Sequence, residues 1–359
     1  MKILAINPGS TSTKIAVYDD EQVLMTKNIV HPAGELRRFK EGMDQLEFRK
    51  QLIIDELKAA GIPMNFDAII GRGGLAKPVE GGVYDVTEHM IDDIRNMKDH
   101  RHACNLGSII ARELALEIPG CRSMMADPGS VDELLDEVRI SGWPELERIC
   151  IWHALNQRSI ARRFAKEHAT TYDKLNLIMC HLGGGISIAA HRQGRAVDAN
   201  NALDGEGPFS PERSGSLPVA ALIKLCFSGK YTEAELLARV AGRGGLLAHL
   251  GTNDVRVILQ RIADGDRHAE KILNAMLFHT AKSIVAEGAV LCGKVDAIIL
   301  TGGLVYSDYV VSRLRERIEF LAPVYCYPGE DEMEALAMNA LAVLRGEFTT
   351  KDYDKTTTL

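Results

Sequence analysis

Apolar residues run unbroken through positions 3–6 and again through 15–17, separated by Asn7-Pro8-Gly9-Ser10-Thr11-Ser12-Thr13. Two apolar runs split by a short polar turn predict paired strands over 3–8 and 13–18. From 41 to 60 the pattern changes period: Leu46, Ile53, Ile54 and Leu57 recur at helical spacing, and Gly61-Ile62-Pro63 closes the segment. A short buried strand follows at 67–70, "DAII", and runs into Gly71-Arg72-Gly73-Gly74. Segments 103–117 and 153–168 read as helices. "LNLIMCHL" (175–182) is a strand broken by three glycines at 183–185, after which "ISIAAH" (186–191) and "GRAVDA" (194–199) continue as strands.

The stretch 200–216, "NNALDGEGPFSPERSGS", has no period and many turn residues, which marks a long loop. Thr232 and Glu235 have capping-box spacing for a following helix. Helices are expected at 254–264, 267–292, 307–321 and 331–345. Strands are expected at 296–300, ending in Thr301-Gly302-Gly303, and at 323–327. The polar tail "TTKDYDKTTTL" is expected to fray. Strand, polar or glycine turn, strand occurs near residue 9 and again near 184, and "GRGGL" stands at both 71–75 and 242–246. Two related halves would explain both echoes.

Composition narrows the classes. The chain has 359 residues, enough for about two domains. Hydrophobic residues make up 46% and charged residues 25%, the balance of a soluble globular protein. A formal charge of -7 with no basic run argues against nucleic acid as a partner. No apolar stretch is long enough to span a bilayer, and the N-terminus shows no signal-peptide pattern. The seven cysteines, Cys104, Cys121, Cys150, Cys180, Cys226, Cys292 and Cys326, form no C-x-x-C pair and mostly sit in apolar runs. Reduced, buried thiols in a cytoplasmic protein are the expectation.

Three turns carry candidate chemistry. Gly9 lets backbone N–H groups approach a ligand, Ser10, Thr11 and Ser12 add hydroxyls, and such N–H arrays bind phosphate. Asn7, at a strand end, has a carbonyl oxygen suited to a Mg²⁺-bound water. Gly183, Gly184 and Gly185 invite close approach by a ligand. Gly302 and Gly303 lie between a strand and a helix, where N–H groups face a nucleotide. Singly, each has an ordinary alternative as a hairpin or a sheet bend. "GAVLCGKV" (288–295) matches G-x-x-x-x-G-K, but it lacks the Ser/Thr and ends a helix, so it is no P-loop.

In order along the chain stand "INPGSTSTKI", "GRGG", "HACNLG", "ADPGS", "IWHALNQRSIA", "MCHLGGGISIAAHRQGRAVDANNALDGEGPFSPERSGSLP", "LGTNDVR" and "ILTGGLVYS". This series resembles the acetate/butyrate kinase family, in particular its butyrate and branched-chain carboxylate members, from about residue 3 to 345. The resemblance implies an α/β fold of the actin-like ATPase superfamily. That fold has two ribonuclease-H-like domains with mixed sheets flanked by helices and an ATP cleft between them. The expected division is 1–165 plus 331–359 for the first domain and 166–330 for the second. By position, Asn7 resembles the residue placing Mg²⁺ and phosphates, and residues 9–12 the first phosphate hairpin. Arg72 and Arg213 resemble the two active-site arginines, Asp127 the acid near the transferred phosphoryl, and His153 a histidine contacting it. His102 falls where the family has another cleft histidine. His181 with Gly183, Gly184 and Gly185 resembles the second phosphate turn, although acetate kinases carry Asn at the position of Gly184. Asp254 and Arg256 resemble residues near ribose and adenine, with Gly302 and Gly303 below the base. A late glutamate supports the metal in the family, and Glu330 and Glu332 both stand near that position. Asp254 has a second reading as a helix N-cap.

The reaction so implied is ATP plus a short carboxylate, butyrate or a branched acid, giving ADP and an acyl phosphate. Mg²⁺ would accompany ATP, and the protein would be a homo-oligomer, a dimer or larger. Acetate kinases read Arg-Val-Val-His-Gly-Gly where this chain has Arg72-Gly73-Gly74-Leu75. Loss of the valines is expected to open room beside Arg72 for a longer acyl tail. Alternatives are an acetate or propionate kinase, an actin-like sugar kinase with Asp127 as general base, and a nucleotide-dependent switch. Testing sugars against short acids separates the enzymes. A switch has no use for two active-site arginines.

Overall fold

In the computed structural model, which describes residues 1–75, 77–96 and 103–355, the chain divides into two compact units. Unit 1 comprises Met1–Asp132, Ala154–Asn156 and Asp331–Leu359; unit 2 comprises Glu133–His153 and Gln157–Glu330. The chain returns to unit 1 at Asp331. Residues 133–153 and 157–165, expected in the first domain, group with unit 2.

Unit 1 is built on a six-stranded sheet of β1 (Lys2–Pro8), β2 (Ser12–Asp19), β3 (Gln22–Val30), β4 (Ala68–Arg72), β5 (Val83–Asp85) and β6 (Arg122–Ala126), in the order β3-β2-β1-β4-β6-β5. β1, β2 and β3 form an antiparallel meander, and β4 and β6 add in parallel to β1. Both faces are covered, which is why β1 and β4 read as continuous apolar runs. Alternation along the strands sorts the side chains. Ile3, Ala5, Ala68 and Ile70 pack on the helix Glu332–Leu344. Leu4, Ile6 and Ile69 pack with Ile53 and Leu57 of the helix Leu46–Ala59 and with Leu106, Ile110 and Leu114 of the helix Leu106–Leu116.

Unit 2 repeats the plan with β7 (Asn176–Leu182), β8 (Ile186–Arg192), β9 (Arg195–Ala199), β10 (Ala297–Gly302) and β11 (Val324–Pro328), ordered β11-β10-β7-β8-β9. Again a meander meets two parallel strands. Ile178, Cys180 and Leu182 face the long helix Arg267–Val290. Leu177, Met179 and Ile299 face Ile160, Ala161 and Phe164 of the helix Ala154–Glu167. The strand–turn–strand echo is therefore a topological repeat. The "GRGGL" echo is not part of it: 71–75 leaves β4, whereas Gly244 and Gly245 back the loop carrying Ser210 and Arg213.

Several expectations need correction. β3 was not expected, because its residues are mostly exposed and show no buried alternation. The tail does not fray over its described part. Lys351 bridges to Tyr84, and Tyr353 is buried with its hydroxyl donating to Asp93 at 3.0 Å, so an aromatic side chain ties this polar segment to unit 1. All seven cysteines are free thiols, but only Cys150 and Cys180 are buried. Cys226 ends the helix Val219–Cys226, which buries nothing, and Cys292 occupies a left-handed turn (φ +52°), so both are exposed. Among the described residues no helix is long and apolar enough to cross a membrane.

Candidate active site

In unit 1 the strand period assembles the first cluster. Asn7 follows Ile3 and Ala5, and Arg72 follows Ala68 and Ile70, at two-residue steps. Both side chains therefore emerge on the face covered by the helix Glu332–Leu344. There Asn7 Nδ2 donates to Glu332 Oε2 at 2.5 Å, and Arg72 Nη1 lies 3.2 Å from Glu332 Oε1 and 3.4 Å from Asn7 Oδ1. Of the two late glutamates, Glu332 joins Asn7 and Arg72, whereas Glu330 is 3.6 Å from His181 Nε2 in unit 2. Asp127, just past β6, is buried in a left-handed conformation (φ +37°), which aspartate tolerates better than most residues. Its N–H donates to the Gly82 carbonyl and its Oδ1 accepts from the Gly82 N–H at 2.8 Å. His102 lies outside the described residues.

The first turn is closed by the Gly9 N–H donating to the Ser12 carbonyl at 2.7 Å, with Ser10 and Thr11 exposed. Thr13, the next residue, is buried.

Gly73 and Gly74 do not open a pocket, contrary to expectation. A Cβ on Gly74 would sit 1.8 Å from Asn105 Oδ1, and one on Gly73 would sit 2.6 Å from Met125 Sδ and 2.7 Å from Pro128 Cβ. The space the valines would fill is taken by this chain's own side chains. Asn105 is buried, and its Oδ1 accepts from the Leu75 N–H at 2.8 Å.

In unit 2 the same period places His181, two residues after Met179, on the face of the helix Ala154–Glu167, where His153 is the N-cap residue. The two imidazoles stack at 3.8 Å and 12°. Ser187 Oγ lies 2.8 Å from His153 Nδ1 and accepts from Gln157 Nε2 at 2.9 Å, which fixes the His153 ring. His181 stands one residue from the end of β7, as Asn7 does in β1.

The triglycine turn is shaped by neighbours. A Cβ on Gly185 would lie 2.2 Å from Arg213 Nη1 and 2.5 Å from its Cζ, so the guanidinium rests directly on this glycine. Arg213 Nη1 donates to the Ala202 carbonyl at 2.6 Å, and its N–H donates to Ser210 Oγ, which in turn donates to the Gly184 carbonyl at 2.7 Å. A Cβ on Gly183 would lie 2.9 Å from His181 Nε2. The loop at 200–216 is thereby pinned to the turn. Glu212 links the turn onward: its N–H donates to the Gly184 carbonyl, and its Oε1 accepts from Asn253 Nδ2 at 2.5 Å.

Asp254 N-caps the helix Val255–Ala263 by accepting from the Arg256 N–H, and it also binds the Arg256 guanidinium at 3.0 and 2.7 Å. That guanidinium holds the Asp254 carboxyl down to about 2. Gly302 (φ +94°) exchanges backbone hydrogen bonds with Gly329 and abuts Leu182, where a Cβ would meet the carbonyl oxygen at 2.4 Å. Gly303 faces open space.

Sequence reasoning passed over Ser187, Gln157, Ser210, Glu212 and Asn253. Only their inclusion in the quoted motif blocks hinted at them; the supporting contacts join residues far apart in sequence.

The fold is that of a solved acetate kinase from Porphyromonas gingivalis (TM-score 0.79, 20% identity, covering 96% of this chain and 99% of that one). The α/β, actin-like architecture expected from the sequence is thus present. Residues 150–322 match the family model described as Acetokinase family. A protein of Bacteroides thetaiotaomicron named "Probable butyrate kinase" is 60% identical over 353 residues, 98% of this chain and 100% of that protein. "Butyrate kinase 2" of Clostridium acetobutylicum is 48% identical over 353 residues, covering 98% and 99%. The chain belongs to the acetokinase family.

Proposed function

We propose that the protein phosphorylates a short-chain carboxylate with ATP, reversibly, giving an acyl phosphate and ADP. The geometric observation that carries this reading is the Arg213 guanidinium seated on Gly185 at the triglycine turn, a cation fixed where a phosphate-binding turn would hold its anion. Family membership supplies the reaction class. The preference for butyrate or a branched acid is drawn from the names of the relatives, because Gly73 and Gly74 provide no room for it.

A carboxylic acid with a pKa of about 4–5 is already ionised at pH 7, so no general base is needed. The obstacle is repulsion: two unit charges at about 4 Å interact by roughly 4 kcal/mol at an effective dielectric of about 20. In this reading a carboxylate oxygen attacks the γ-phosphorus in line. The new P–O bond forms as the bond to the bridging β–γ oxygen breaks, and ADP leaves with that oxygen. Arg72 anchors the carboxylate and Arg213 stabilises charge on the equatorial oxygens, each through its planar fork. His153 and His181, held by Ser187 and by each other, donate to the phosphoryl oxygens. Asp127 orients neighbouring charge. The turns at 9–12 and 183–185 cradle the phosphates, and Asp254, Arg256, Gly302 and Gly303 serve the nucleoside.

The Asn7 amide oxygen and the Glu332 carboxylate, brought together where the helix Glu332–Leu344 meets β1, are oxygen ligands of the kind a hard divalent ion takes. Held there, Mg²⁺ would supply charge neutralisation on the phosphates. Assembly as a homo-oligomer, dimer or larger, belongs to the same proposal. The exposed Val219, Ile223 and Phe227 support it.

The test is acyl-hydroxamate formation from ATP, hydroxylamine and acetate, propionate, butyrate, isobutyrate or valerate. Product with the four- and five-carbon acids is expected. No hydroxamate with any acid would overturn the proposal. Within it, Arg213→Ala should lower kcat by roughly 10²–10⁴ and lysine should rescue poorly.

A further inference from the structure

Arg49 is a fully buried arginine on the helix Leu46–Ala59, and it lies under the turn that follows β1. All five of its N–H donors are used. Nε and Nη2 donate to Gln45 Oε1 at 2.9 and 2.7 Å. Nη1 donates to Thr13 Oγ1 at 2.9 Å and to the Ser12 carbonyl at 3.0 Å. Nη2 also donates to the Ser10 carbonyl at 3.3 Å. Every acceptor is neutral, and among the described residues no carboxylate pairs with this guanidinium.

An unpaired buried cation is costly. Burial pushes Arg49 down to about 10, which still leaves it charged at neutral pH. Its neighbour His31, 2.9 Å from Thr13 Oγ1, is pushed down to about 4 by burial and by the Arg49 charge, so it adds no compensating anion and no second cation. Packing alone does not explain the choice: a methionine fills similar volume without the desolvation cost. The placement does explain it. Two of the five bonds grip backbone carbonyls of the turn. In a planar trans peptide the N–H of Thr11 points opposite to the carbonyl of Ser10. Tethering that carbonyl inward therefore turns the Thr11 N–H outward, to the side where Ser10 and Thr11 are exposed.

We infer that Arg49 is a positioning residue of the first phosphate turn: it fixes the turn's backbone donors outward and supplies an uncompensated positive charge beneath them for a nucleotide phosphate. The inference rests on the nucleotide role assigned to residues 9–12 under the proposed function. It needs no contact between Arg49 and the ligand. The missing counterion is the phosphate itself, arriving from the other side of the turn.

The decisive variant is Gln45→Glu. It keeps an acceptor for Nε and Nη2, forms a bidentate ion pair and cancels the charge without disturbing the bonds to Ser10, Ser12 and Thr13. The probe is MgADP binding by calorimetry, with KM for MgATP and for butyrate measured alongside thermal stability. Expected for Gln45→Glu is an unchanged or higher melting temperature, a roughly 10-fold weaker MgADP affinity, a matching rise in KM for MgATP, and an unchanged KM for butyrate. Arg49→Lys should retain more MgADP affinity than Arg49→Met. A folded Gln45→Glu variant with wild-type MgADP affinity would overturn the inference while leaving the proposed function standing. Failure of the wild-type protein to bind MgADP would overturn both.

Discussion

Replacing Gly185 with alanine puts a methyl carbon 2.2 Å from Arg213 Nη1, 2.5 Å from Cζ and 3.1 Å from Nε. Non-bonded carbon and nitrogen need about 3.5 Å. The guanidinium must therefore retreat by roughly 1 Å or more and give up its 2.6 Å bond to the Ala202 carbonyl. It is the far end of a flexible side chain, so the fold can absorb the change, and a melting-temperature shift of only a few degrees is expected. Catalysis should not absorb it. A misplacement of about 1 Å costs on the order of 10²-fold in rate, and loss of one transition-state donor costs about 10²–10³. The expected result is a kcat lower by 10²–10³ in the hydroxamate assay at saturating ATP and butyrate. A double-mutant cycle isolates the cause. If the methyl acts by displacing Arg213, then Gly185→Ala adds little to Arg213→Ala. A single variant within about threefold of wild-type kcat would refute the reasoning. So would a full 10²-fold penalty in the Arg213→Ala background, which would assign the effect to the turn backbone instead.

Three further outcomes follow from particular contacts. Gly74→Val drives a side chain into Asn105 Oδ1, so about 2 kcal/mol or more of stability should be lost and activity should fall alike on all acids; a clean shift toward acetate in a stable variant would restore the pocket explanation. His31 is pushed down to about 4 from 6.5, so the unfolded chain binds the extra proton, and stability fully present above pH 6.5 is lost as pH falls toward 4, by up to about 1.4 kcal/mol per pH unit. Urea melts of wild type and His31→Gln should then converge as pH falls through that window, and a pH-independent gap would contradict it. Tyr353→Ala should cost about 3–5 kcal/mol in the same melts, and a loss below about 1 kcal/mol would mean that the tail is not part of the core of unit 1.

The sequence by itself determined most of the strands, with β3, β5 and β6 excepted, together with the three polar or glycine turns and most of the helices. These are local matters: a two-residue or 3.6-residue period and a turn residue are written within a few positions. Quoted motifs carried the family. What only the tertiary structure decided depends on partners distant in the chain. Two late glutamates stood two residues apart with the same chemistry, and only the register of the helix Glu332–Leu344 against β1 and β4 gives Glu332 to Asn7 and Arg72. Gly73 and Gly74 read as vacated space, but space is a property of neighbours, and Asn105, Met125 and Pro128 fill it. The tail looked frayed by composition, yet the burial of one tyrosine outweighs its polar neighbours. Arg49 had no signal at all, since a charged residue in an amphipathic helix reads as surface. Its burial follows from neutral acceptors that converge on it from its own helix and from a turn nearly forty residues away in sequence.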